Sequence, residues 1–155
     1  MTQARLHLVG EQAQDAFGRR LAGVLAAPCV IYLEGDLGTG KTTLVRGILR
    51  GLGHTGSVRS PTYTLVEPYD IAGMRLYHLD LYRLGDPEEL EYLGMRDLLE
   101  ASSVLLVEWP ERGTGALPPP DLVIHIAHAA LARDLVLDPR GVVGDRLVAA
   151  LSGTS

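Results

Sequence analysis

The eight residues Gly35-Asp36-Leu37-Gly38-Thr39-Gly40-Lys41-Thr42 constrain this chain more than any other stretch. They carry the G-x-x-x-x-G-K-T spacing of a phosphate-binding P-loop, in which glycines let successive backbone amides converge on an anion. In such a loop a compact lysine ammonium reaches the β and γ phosphates, and the threonine hydroxyl is a Mg²⁺ ligand. Lys41 is the only lysine in the chain; the other thirteen of its Lys and Arg residues are arginines, whose planar fork does not act as a point charge. Cys29 to Leu33 forms a short apolar, β-prone run into the loop, and Thr42 to Arg50 leaves it with apolar residues at helical spacing. Gly51 and Gly53 supply the helix stop. Strand, glycine loop and helix is the arrangement that aims a positive helix terminus at phosphate.

The remaining segments predict one α/β domain over residues 1–155, with a mixed parallel and antiparallel sheet flanked by helices in a P-loop NTPase-like fold. Arg5 to Val9 reads as a strand. Glu11 to Leu25 reads as an amphipathic helix with Ala13, Phe17, Leu21 and Val24 on one side. Thr62 to Tyr69 and Met74 to Leu79 read as an antiparallel hairpin with Ala72-Gly73 at its turn. Asp86-Pro87-Glu88-Glu89 has the cap, proline and acids of a helix start. Ser103 to Val107 is a fully apolar strand delivering Glu108 at its end, followed by a loop through Pro120. Leu122 to Ile126 and Asp134 to Leu137 suggest a further strand pair, and Val142 to Leu151 a last helix.

A formal charge of −5 argues against a broad basic face for nucleic acid. The single cysteine, Cys29, has no partner for a disulfide and suits a reducing cytoplasm. The most apolar stretch, Val24 to Leu33, is broken by Pro28 and falls short of the roughly 20 residues that span a bilayer. No membrane association is expected.

A P-loop needs a further carboxylate near the metal, supplied at the carboxyl end of a buried strand. Glu108 and Asp80 both fit. Glu108 is preferred for Mg²⁺ alongside Thr42, and Asp80 for the γ-phosphate or attacking-water region; the reverse assignment satisfies the same chemistry. Lys41, Asp80 and Glu108 are therefore the candidate catalytic set. Ser60 to Leu65 offers hydroxyls suited to sensing a γ-phosphate, and equally suited to an ordinary loop-to-strand junction. His78 reads as structural rather than as a general base, and His125 and His128 carry no evident role. Trp109 reads as core packing or as an interface anchor. The chain contains no asparagine and no second lysine, so the Asn-Lys-x-Asp guanine reader is missing and ATP is the expected nucleotide.

Taken in order, the P-loop, Ser60 to Leu65, His78-Leu79-Asp80-Leu81-Tyr82-Arg83, Asp86 to Glu91 and Val107-Glu108-Trp109-Pro110 closely resemble the TsaE family, formerly YjeE. The resemblance runs from about Glu11 to Ile126. It implies a bacterial P-loop ATPase of tRNA threonylcarbamoyladenosine synthesis that uses ATP and Mg²⁺, works with the TsaD and TsaB proteins, and meets tRNA only through that complex. Carried onto this sequence, it implies that Leu37, Gly38, Thr39, Gly40, Lys41, Thr42 and Thr43 hold the nucleotide. It also implies that Thr42 and Glu108 ligate Mg²⁺, that Asp80 lies at the nucleotide, and that Glu11 and Arg133 make further nucleotide contacts. Two other readings use the same residues: a small-molecule kinase, and a nucleotide-gated binding module without productive hydrolysis.

Overall fold

A computed structural model describes residues 3–61, 64–92, 94 and 103–152. Its centre is set by the apolar runs predicted from sequence. β2 (Cys29–Glu34) lies between β5 (Ser103–Glu108) and β6 (Leu122–Ala129), parallel to both, and β4 (Met74–Asp80) lies parallel on the outer side of β5. Antiparallel strands finish the sheet: β3 (Val66–Ile71) beside β4, then β7 (Ala132–Pro139) beside β6 and β1 (Ala4–Val9) beside β7. The order β1-β7-β6-β2-β5-β4-β3 is the expected mixed sheet, and β5 is buried on both faces as its unbroken apolar sequence requires.

Strand alternation sorts the core into two layers. Ile31 and Leu33 of β2, Leu76 of β4 and Val104 and Leu106 of β5 pack under α1 (Glu11–Val24), α2 (Lys41–Gly51) and α4 (Val142–Ser152). Leu79, Leu105 and Val107 point the other way, against Leu81, Leu84 and Leu90 of the segment that includes α3 (Glu88–Tyr92). The predicted start of α3 is capped reciprocally: the Glu88 amide donates to Asp86 Oδ1 at 2.9 Å, and the Asp86 amide donates to Glu89 Oε1 at 3.2 Å.

Helices α1 and α2 meet at backbone distance. A Cβ on Gly18 of α1 would lie 2.7 Å from the Leu44 carbonyl oxygen and 2.9 Å from the Ile48 nitrogen of α2. Gly18→Ala is therefore expected to force the helices apart and destabilise the protein by about 2 kcal/mol, lowering the melting temperature by roughly 5 °C. An unchanged thermal midpoint would show that the crossing yields freely. Because α2 starts at the P-loop, this crossing also sets where α1 lies against that loop.

Three regions differ from expectation. β3 starts at Val66, since Leu65 takes a left-handed φ of 67° and its amide turns back to the Pro61 carbonyl at 2.7 Å. Thr62 and Tyr63 lie outside the described residues. β6 and β7 run past Ile126 and begin before Asp134, with Ala127 opposite Asp134 and Ala129 opposite Ala132. The alanine-rich tip has weak strand propensity, and ladder pairing overrides it. Finally, Pro110–Gly113 forms a short 3-10 turn where an irregular loop was expected.

Candidate nucleotide site

The loop between β2 and α2 has the curvature its glycines predict. Gly38 and Gly40 hold φ values of 78° and 97°, a region that side chains with a Cβ rarely enter. Thr39 Oγ1 donates to the Asp36 carbonyl at 2.8 Å, closing the loop on itself. Two neighbours brace it from outside by donating to the Thr39 carbonyl: Gln14 Nε2 of α1 at 2.9 Å and Arg133 Nε of β7 at 3.2 Å. Arg133 Nη2 also donates to the Gly38 carbonyl at 3.2 Å.

On one side of the loop lies a cleft of about 470 Å³ lined by Leu37 to Thr43, Asp80, Tyr82, Arg83, Glu108 and Trp109. The sheet brings the two candidate acids here, because Asp80 and Glu108 are register partners at the ends of parallel β4 and β5. Thr42 Oγ1 donates to Glu108 Oε2 at 3.4 Å. Lys41 Nζ donates to the Gly35 carbonyl and sits 3.9 Å from the centroid of the Trp109 ring. Trp109 in turn packs against Tyr82, with ring centroids 5.0 Å apart. Tryptophan is thus both packed and part of the cleft lining.

Electrostatics at this end of the sheet follow from burial. Lys41 is lowered from the ordinary lysine value by desolvation, against the pull of Glu108, Asp80 and other acids. Asp80 is raised by desolvation; the Tyr82 amide, donating to its Oδ1 at 3.1 Å, opposes the shift, while the Glu108 charge adds to it. A raised carboxylate beside a cationic loop is the combination expected where a proton is to be accepted.

Across the loop, a smaller cleft of about 290 Å³ is lined by Glu11, Gln14, Leu131 and Arg133 and shares Gly38, Gly40 and Thr43 with the first. Glu11 and Arg133 therefore flank the P-loop, on the side opposite Asp80 and Glu108. Glu11 is exposed and pairs loosely with Arg46 of α2 at 3.8 Å. Sequence reading passed over Gln14, which looks like one more polar residue of a helix whose buried face it shares. His78, expected to be structural rather than a general base, is a wholly buried imidazole whose Nε2 is 2.6 Å from Glu108 Oε2. Period-two alternation from Asp80 would have put His78 on the same sheet face. His125, for which no role was evident, pairs with Glu34 at 3.2 Å.

The family model for "Threonylcarbamoyl adenosine biosynthesis protein TsaE" matches residues 8–135. The chain belongs to the TsaE family. Among its relatives, the tRNA threonylcarbamoyladenosine biosynthesis protein TsaE of Haemophilus influenzae is 48% identical over 141 residues, covering 88% of this chain and 89% of that one. The Bacillus subtilis TsaE is 38% identical over 129 residues, covering 83% and 80%. The crystal structure of Bacillus subtilis YdiB superposes with a TM-score of 0.84 at 30% identity, covering 98% of this chain and 95% of that chain. The TsaE match extends beyond Ile126, where the sequence resemblance ended, and takes in Arg133. Among the described residues no helix is long and apolar enough to cross a membrane.

Proposed function

We propose that this TsaE-family protein binds ATP with Mg²⁺ and hydrolyses it in support of tRNA threonylcarbamoyladenosine synthesis, acting on a TsaD and TsaB complex in the cytoplasm. The observation that carries the reading is the convergence of Lys41, Thr42, Asp80 and Glu108 on one cleft beside a correctly curved P-loop. Backbone amides of the loop and the Lys41 ammonium bind the phosphates and stabilise charge developing on the transferred group. Thr42 and Glu108 are hard oxygen donors 3.4 Å apart, a set that fits Mg²⁺. They would hold the ion, which when bound neutralises phosphate charge. Asp80 orients the attacking water and accepts its proton, helped by its raised pKa. The nucleoside end occupies the smaller cleft between Glu11 and Arg133, which shares Gly38, Gly40 and Thr43 with the first.

An acidic protein reaches tRNA through its partners rather than by its own surface. ATP hydrolysis is expected to be slow in the isolated protein and to rise several-fold with purified TsaD and TsaB. Trp109, touching both Lys41 and Tyr82, is expected to report nucleotide or partner addition by fluorescence. Trp109→Ala should reduce the stimulated rate more than ATP affinity. Equal hydrolysis with and without partners, at saturating ATP and Mg²⁺, would refute the coupling. A rate that rises only when a small acceptor is added would assign a kinase instead.

A further inference from the structure

His78 is fully buried, on the sheet face otherwise occupied by Leu76, Val104 and Leu106, and its Nδ1 has no hydrogen-bond partner among the described residues. An unsatisfied polar atom in that position costs about 1–3 kcal/mol, so an apolar side chain would serve packing better. Among the described residues the imidazole makes one hydrogen bond, Nε2 to Glu108 Oε2 at 2.6 Å. Because a carboxylate can only accept, the proton of this contact sits on Nε2 and the imidazole donates to Glu108.

The position of this contact is set by the sheet. His78 stands in register with Leu106 and Asp80 with Glu108, so the imidazole reaches diagonally along the same face to the acid one pleat further on. Oε2 thereby accepts from His78 below and from the Thr42 hydroxyl at 3.4 Å on the α2 side. With one oxygen tied down from the core, the carboxylate loses its freedom to rotate.

We propose that His78 is a positioning residue that fixes the Glu108 carboxylate for Mg²⁺ at the P-loop. The proposal rests on the reading of Glu108 as a metal ligand given above. Hydrogen-bonded partners of metal-ligating carboxylates typically contribute about 10- to 100-fold to metal affinity. His78 does this without touching nucleotide or metal itself.

The test compares two side chains of equal length. Glutamine places an amide N–H near the position of Nε2, whereas methionine fills similar space with no donor. The readout is binding of a non-hydrolysable ATP analogue, titrated calorimetrically with and without Mg²⁺, so that catalysis plays no part. In His78→Met the gain in affinity conferred by Mg²⁺ is expected to shrink about tenfold, with metal-free affinity unchanged. His78→Gln is expected to restore most of that gain. If the Met variant melts below the assay temperature, His78→Asn, whose amide is too short to reach Glu108, takes its place with the same expected loss.

A folded Met or Asn variant with the wild-type Mg²⁺ gain overturns the proposal. Equal losses in the Met and Gln variants also overturn it, since they would mark a packing role. Glu108→Gln separates the two levels of argument. If that variant keeps the full Mg²⁺ gain, the metal reading itself fails and the role of His78 goes with it; if it loses the gain while His78→Met does not, only the His78 proposal falls.

Discussion

Lys41→Ala is expected to weaken ATP binding about 10- to 100-fold and to leave no measurable hydrolysis, the range a charge-assisted contact to phosphate supplies. No second lysine exists to substitute, and the side chain begins the helix that the loop feeds. The fold should survive. Lys41 is only 5% exposed and burial lowers its pKa, so the native state already bears a desolvation cost that alanine removes. Against that, the variant forfeits a cation–π contact with Trp109 of about 1 kcal/mol. Calorimetric titration of ATP, with a thermal melt of the same sample, checks both halves. Wild-type affinity and turnover in a folded variant would remove Lys41 from the site.

Glu108→Ala carries the second large effect. Turnover at saturating ATP is expected to drop about 100-fold with loss of Mg²⁺ dependence, while ATP affinity in metal-free buffer changes little. The two responses separate because backbone amides, rather than this carboxylate, cradle the phosphates. Asp80→Ala should also slow turnover but keep the response to Mg²⁺, since its carboxylate is assigned to the water. Steady-state rates over a Mg²⁺ series in the two variants decide the assignment. A normal Mg²⁺ response without Glu108, and a lost one without Asp80, would exchange their roles.

Much of this arrangement was legible in the sequence because its signals are local. The P-loop spacing, the unbroken apolar run of β5 ending in Glu108, and the Asp86-Pro87 helix start each announce themselves within a few residues. The long-range parts were not. Extension of β6 and β7 through an alanine-rich tip depends on ladder partners, and it is this extension that carries Arg133 to the loop carbonyls. Gln14 acquires its contact with Thr39 only because Gly18 lets α1 and α2 close to backbone distance. The left-handed turn at Leu65 interrupts a stretch whose composition favours a strand throughout; its carbonyl then accepts the Asp80 amide at 3.0 Å. In each case a partner far along the chain decides what a short window of sequence leaves open.

The central place of β2 bears on how the protein is made. Its parallel neighbours are β5, where Cys29 faces Val104, and β6, where Ile31 faces Leu122, so the strand bearing the P-loop has no lateral partner until most of the chain has left the ribosome. Such non-local pairing closes long loops before any contact rewards it, which slows folding. Nucleotide cannot assist the early stages, because the loop is held in its phosphate-binding curvature only once β2 is docked between β5 and β6 and Arg133 of β7 reaches the Thr39 carbonyl. A nascent chain ending before β5 would therefore present the complete P-loop sequence and still fail to retain ATP, and the nucleotide would stabilise only the finished sheet.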